Sequence, residues 1–413
     1  MSGRGVTIDL SKNKKENCGE TTTYQASTSA GGKTVKITVK RTIEPKGSHF
    51  YRYTHSPHGG RAFTLKEIQD NNKRIEGIQE SKDGKDVYSV SAYYWKHDNT
   101  GGGQTPGKVL LIGVSTSART TYYVRSSGNR WTEYKLDEED LEHELDEFVC
   151  KYHNGVTIDL TRDKHRPGES YCCDKHADKE GKDGEAKVSV TSVPVSCKTH
   201  SGSSHLTVKK HTITSPNLRL AGIKYNENSD LAPKNRRRIK LTKQSFPITD
   251  VDSVHVFYCQ EQNPLLIYIH PTTGSSAKGW YKKKEGSNDS GNEEWEETLA
   301  GLRNTAPEKI TDCTSWNALV TELKKAGGYN DLQECPGPKP PPPPEQQESG
   351  TTSPTAHGHQ AERHGTSQPS SNKPPLNTIL GVLSGTAVVS GSLTGLGWWA
   401  FKRSRGDPWV RQI

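Results

Sequence analysis

The chain has 413 residues, of which 30% are hydrophobic, and carries 39 glycines and 23 prolines. That length suits two or three domains, and the low apolar fraction excludes one large buried core and a chain that is membrane-embedded throughout. With 56 basic and 48 acidic residues the formal charge is +8, a mild, well-mixed excess that gives no ground for nucleic-acid binding.

Residues 1–5 are polar and hold no apolar h-region, so no signal peptide is visible. Gly5-Val6-Thr7-Ile8-Asp9-Leu10 follows and recurs, identical at all positions, as Gly155-Val156-Thr157-Ile158-Asp159-Leu160. Further landmarks recur in the same order. Gly32 to Ile37 is echoed by Glu185 to Val190, and Val90 to Trp95 by Val254 to Cys259. Leu110-Leu111-Ile112 is echoed by Leu265-Leu266-Ile267, and Tyr122-Tyr123 with Trp131 by Trp280-Tyr281 with Trp295. Each unit closes on a helical pattern and a cysteine: Leu141 and Leu145 before Cys150, Leu319 and Leu323 before Cys335. At this size the repeat is a domain duplication.

Within each unit apolar residues mostly alternate, as at Val35, Ile37 and Val39, and turn-forming stretches separate the runs. The expected fold is mainly β. It comprises two homologous antiparallel β-rich domains over 1–150 and 151–335, each closed by a short helix.

Several segments imitate chemical motifs. Gly102 to Lys108 reads G-x-x-x-x-G-K, but Val109 follows where a P-loop needs Ser or Thr, and the segment leads into a strand. His143-Glu144-Leu145-Asp146-Glu147 lacks the second histidine of a zincin, which leaves an acidic surface helix. His55 and His58 sit in a Pro/Gly loop without a nearby carboxylate. Tyr93, Tyr94, Trp95, Tyr122 and Tyr123 read as strand packing ahead of an aromatic binding face. The basic run Lys234 to Lys240 reads as a solvated loop or strand edge ahead of a nuclear or heparin-type signal. No catalytic, cofactor-binding or metal residue is expected.

The cysteines are Cys18, Cys150, Cys172, Cys173, Cys197, Cys259, Cys313 and Cys335. All precede a proline-rich stretch, which suits disulfides in an oxidising compartment; Cys172-Cys173 lacks the spacer of a zinc site. A Cys18–Cys150 bridge would tie both ends of the first unit. By the logic of the repeat, Cys172 or Cys173 would then pair with Cys335. Asn288 is the one glycosylation sequon.

Residues 336–375 begin with Pro336, Pro338 and Pro340 to Pro344 and continue as a polar Ser/Thr/His/Gln stretch, the composition of a disordered stalk. Residues 376–401 read as one transmembrane helix. Ile379 to Phe401 would cover about 34 Å at about 1.5 Å per residue. Trp398 and Trp399 sit at the interface, and Lys402, Arg403 and Arg405 begin a short basic tail over 402–413. That tail predicts a cytoplasmic C-terminus and disfavours a GPI signal. Gly381/Gly385 and Gly391/Gly395 have G-x-x-x-G spacing, a weak case for a homodimer.

The G-V-T-I-D-L opening, the Tyr-Tyr-Trp and Leu-Leu-Ile strands, the Tyr-Tyr…Trp pair and the closing Leu…Cys together resemble a lineage-expanded family of piroplasm (Theileria/Babesia-type) parasites. The resemblance covers residues 5 to about 335. It is to surface and secreted proteins with tandem modules, similar to families rich in FAINT domains. It implies display on, or export to, a parasite or host-cell membrane, with a host or parasite surface protein or glycan as partner. It carries over no catalytic or ligand residue. The expectation is therefore a non-enzymatic, single-pass surface protein without cofactor. The alternative is a tail-anchored protein with cytosolic interaction domains.

Overall fold

The computed structural model describes residues 5–336, apart from 14–20, 29–32, 79–85, 99, 101–105, 163–170, 174–186, 199–205, 216, 231, 233–234, 260–262, 273–275 and 287–290. The expected stalk, membrane span, glycine pairs and basic tail lie outside the described residues, as do Cys18 and Asn288. Among the described residues no helix is long and apolar enough to cross a membrane.

The protein is mainly β, as the alternation predicts. The first repeat contains β1 (Val6–Asp9), β2 (Thr21–Ser27), β3 (Thr34–Ile43), β4 (Phe50–Pro57), β5 (Leu65–Asp70) and β6 (Lys73–Arg74). It continues through β7 (Val87–Trp95), β8 (Val109–Thr116), β9 (Thr120–Ser127), β10 (Arg130–Tyr134) and α1 (Leu141–His153). The second contains β11 (Gly155–Asp159), β12 (Val188–Val195), β13 (Leu206–Ile213), β14 (Arg219–Asn226), β15 (Arg236–Leu241) and β16 (Val251–Cys259). It ends with β17 (Asn263–Pro271), β18 (Gly279–Lys283), β19 (Asn292–Thr298) and α2 (Cys313–Lys325).

Strand order shows the duplication directly. The second repeat forms one sheet, β11-β14-β15-β19-β18-β17-β16-β13-β12. The first splits into β1-β5-β6 and β10-β9-β8-β7-β4-β3-β2, joined by a single parallel bridge between Glu76 and Arg130. That bridge stands where β15 pairs with β19 over four residues, so the two orders correspond strand for strand, except that β2 has no counterpart among the described residues of the second repeat. In the first repeat Val6 also bridges Thr28, which brings the two ends of the order together as in a partly open barrel. Most pairs are antiparallel, but β1–β5, β11–β14 and β15–β19 are parallel.

Cross-strand register confirms most landmarks. Ala92 faces Ile112, which faces Tyr123, which faces Glu133. Val256, Ile267, Tyr281 and Glu297 repeat that ladder. One landmark needs correction. Val39 faces His55 and Val190 faces His211, so Val190 matches Val39 and not Ile37. The slip is two residues, and a two-residue shift keeps every side chain on its own face.

Alternation sends side chains to two cores. In β7, Val90, Ala92 and Tyr94 join Val6, Ile8 and Trp131 on one side, while Tyr93 and Trp95 join Leu141, Leu145 and Phe148 of α1 on the other. In the second repeat Trp295 belongs to the first kind of core, and Trp280, Leu319 and Leu323 to the second. Tyr93, Tyr94, Trp95 and Tyr122 are all buried. They are packing residues split between opposite faces, so they form no common binding surface.

The G-V-T-I-D-L repeat is explained position by position. Val, Ile and Leu are buried in both copies. The glycine is where the first strand runs closest to a neighbour: a Cβ on Gly5 would lie 2.8 Å from the Lys66 Cβ. A Cβ on Gly155 would lie 2.6 Å from Val149 and 3.2 Å from Ala221. Asp9 and Asp159 each accept a backbone N–H two residues on, from Ser11 and Thr161, both at 3.0 Å.

Candidate functional site

The imitated motifs are absorbed by the fold. Asp98 is buried, and its carboxylate accepts from the amides of Thr100, Gly107 and Lys108 at 2.9, 2.9 and 2.7 Å. The Lys108 ammonium donates to the Tyr152 carbonyl at 3.0 Å. The Gly107 and Lys108 amides of the P-loop look-alike thus already serve an internal anion while its lysine serves a carbonyl, and hydrogen bonds from Thr100 and Lys108 hold the Asp98 carboxyl below its ordinary range despite burial. His143 pairs with Glu147 along the helix at 3.5 Å. His55 lies inside β4 and not in a loop, and His58 contacts Thr38 at 3.2 Å, so the two histidines do not converge.

His55 belongs instead to a constellation that the repeat reproduces. The Tyr24 hydroxyl lies 3.3 Å from the Asp9 amide nitrogen and 3.2 Å from His55 Nδ1. The Tyr171 hydroxyl lies 3.0 Å from the Asp159 amide nitrogen and 2.9 Å from His211 Nδ1. Each tyrosine accepts from the backbone of the first strand while bonded to a histidine on the strand paired with β7 or β16. Both histidines are fully buried and burial pushes both down to about 3, so they are neutral. Their Nε2 atoms have no hydrogen-bond partner among the described residues. Sequence reasoning missed this pair because Tyr171 and His211 lie beyond the stretches of literal identity.

The second constellation joins the repeats. α1 was expected as an acidic surface helix, but two of its acids face inward. Glu142 accepts from Lys224 Nζ at 2.7 Å and takes a two-point contact from the Arg238 guanidinium. Asp146 accepts from Lys224 at 2.6 Å. Lys224 leads this attraction, which holds the Glu142 carboxyl well below its ordinary range although burial opposes it. Around the pairs, the Arg219 guanidinium lies 4.9 Å from the Trp95 ring, and Ala221 joins the core under α1. His49 and His97 are in contact at 3.0 Å nearby.

Within the basic run, Arg236, Arg237 and Arg238 belong to this interior, while Lys240 is exposed as a strand edge is and Lys234 lies outside the described residues. Arg236 bonds Asp159 at 2.8 Å, Arg237 pairs with Glu227, and Arg238 serves Glu142.

Cys150 bonds Cys172 and Cys313 bonds Cys335, each across a separation of 22 residues. The chain-entropy model gives such a loop roughly 3 kcal/mol. The pairings expected from the repeat, Cys18 with Cys150 and Cys172 or Cys173 with Cys335, are therefore not the ones formed. The reason is orientation: Cys150 points from α1 into the core of the second repeat, beside Cys172 and Cys173. Cys259 is half-buried at the end of β16 and takes part in neither bond.

A cleft of about 480 Å³ lies between the β9–β10 hairpin and α1. Tyr134, Phe148 and Tyr152 form an aromatic wall, with ring centroids 5.9 and 6.3 Å apart in sequence. Lys151 and Glu147 flank it. Tyr134 bonds Glu144 at 2.5 Å, and the matching contact in the second repeat joins Thr298 to Glu322. That match sets Phe148 against Ala326 and Tyr152 against Asn330. A Lys282–Glu322 ion pair at 2.9 Å also crosses the position. The aromatic cleft is thus a property of the first repeat, acquired or retained after duplication.

Comparison with protein-family models, with curated proteins and with solved structures returns no match to this chain.

Proposed function

We propose that the protein is a non-enzymatic, membrane-anchored surface protein of a parasite multigene family, displaying two homologous domains for host interaction or as antigens. The observation that carries the reading is the aromatic cleft of the first repeat, whose Phe148 and Tyr152 are replaced by Ala326 and Asn330 at the matching positions of the second. A buried core diverges little in kind, whereas a contact surface is free to differ. The apolar run from Ile379 to Phe401 and the basic residues after it support the anchoring. The two disulfides support an oxidising environment for the domains.

Protease treatment of intact cells, followed with antibodies to each end of the chain, tests the topology. The repeats should be digested and the basic tail protected. Protection of the repeats with loss of the tail refutes display and favours the tail-anchored alternative. Within the display reading, Tyr152→Ala, at the half-buried end of the cleft, should abolish adhesion to host cells at unchanged surface level. Undiminished adhesion removes the cleft from the function.

A further inference from the structure

Three cysteine sulphurs converge in the second repeat. Cys197 Sγ lies 3.5 Å from Cys313 Sγ and 3.4 Å from Cys335 Sγ, and it stands outside the bond that joins the other two. They come from three segments: the chain after β12, the first residue of α2 and the chain beyond α2. We infer that reduction of the Cys313–Cys335 bond converts this cluster into a three-thiolate site for a thiophilic divalent cation, Zn²⁺ being the common case.

The spacing suits the cation. Thiolates about 2.3 Å from a tetrahedral zinc stand about 3.8 Å apart, within a few tenths of an ångström of the distances from Cys197. The backbone is already fixed around all three sulphurs. Lys198 N donates to the Thr311 carbonyl at 2.9 Å, tying the Cys197 segment to the start of α2. The Asn317 side chain accepts from the Cys335 amide at 2.7 Å and donates to its carbonyl at 3.3 Å. Cys313 opens a helix of 13 residues, where the exposed amides and the helix dipole favour a thiolate over a thiol. Cys197 and Cys335 are buried in an apolar cluster, while Cys313 is half-buried and leaves an approach. Among the described residues no fourth histidine, cysteine or carboxylate joins the group, so one coordination position remains for water or another small donor.

The two states exclude one another. A dithiol reductant supplies two electrons and two protons, the one sulphur–sulphur bond breaks, and two thiols form. Binding then makes three sulphur–metal bonds and releases three protons to solvent. The oxidised cluster holds no cation, because a disulfide sulphur is not a thiolate. This inference goes beyond the display reading and is independent of it, since it concerns the purified chain and not its topology.

Cobalt titration of the full chain, purified in detergent, tests it. Under anaerobic conditions with a phosphine reductant, Co²⁺ should produce a thiolate-to-metal charge-transfer band that saturates and is displaced by Zn²⁺. Cys197→Ser should weaken binding at least about 100-fold. The double change Cys172→Ser with Cys173→Ser, which leaves only Cys150 of the other sulphur group, should leave the band in place. The oxidised chain should give no band. A reduced chain that binds no cobalt, whether folded or not, overturns the inference, and so does a band that survives Cys197→Ser.

Discussion

His55 and His211 make acid lability a measurable property of the duplication. Each is fully buried and pushed down to about 3, against an ordinary value of 6.5. Above that ordinary value both folded and unfolded chains carry neutral imidazoles, and these groups have no effect. As the pH falls below it, the unfolded chain binds protons that the folded chain does not, and stability declines down to about pH 3. At about pH 5 each histidine costs about 2 kcal/mol, from 1.36 kcal/mol for each of the roughly one and a half units of separation. The pair therefore costs about 4 kcal/mol. The substitutions His55→Asn and His211→Asn keep a polar atom near the position of Nδ1 and remove the titration. Urea unfolding at about pH 7.5 and about pH 5, followed by tryptophan fluorescence, compares the chains. The native chain should lose about 4 kcal/mol more between the two conditions than the double variant, and each single variant should account for about half. His49, His97 and His153 are also held below their ordinary value, chiefly by burial, but they are common to all the chains and cancel. Equal losses in native and double-variant chains would refute the reasoning, because the buried imidazoles would then not be neutral.

Two further substitutions probe the ionic interior. Glu142→Gln leaves the Arg238 guanidinium without its carboxylate, and should destabilise the chain by about 3 kcal/mol in the same unfolding measurement. Asp98→Asn removes the charge that accepts the Gly107 and Lys108 amides, and should cost about 1–3 kcal/mol, with faster amide exchange at those two positions.

The duplication was legible because literal identity marked β1 and β11, and because Leu, Ile and aromatic residues recur at sheet positions where only they fit. The parallel pairs were not. Leu65-Lys66-Glu67-Ile68 places its apolar residues three apart, as a helix does, and its pairing with β1 depends on contacts nearly sixty residues away. The basic run misled for the same reason. Arg236 and Arg238 find their carboxylates 77 and 96 residues away, so a local window sees only unpaired charge. The disulfides followed orientation and not position in the repeat, and periodicity does not say which way one cysteine on a helix points. Tyr134, Phe148 and Tyr152 of the cleft share no motif in the sequence, since the packing of the hairpin on α1 that brings them together is itself a tertiary result.

The helix between the repeats makes the seam polar in direction. α1 presents Glu142 and Asp146 to the cations of the copy that follows it. At the matching turns of α2 stand Val320, fully buried, and Lys324, paired with Glu334. The seam therefore has a direction: α1 turns acids toward the copy after it, while α2 turns Val320 into its own core and Lys324 toward Glu334.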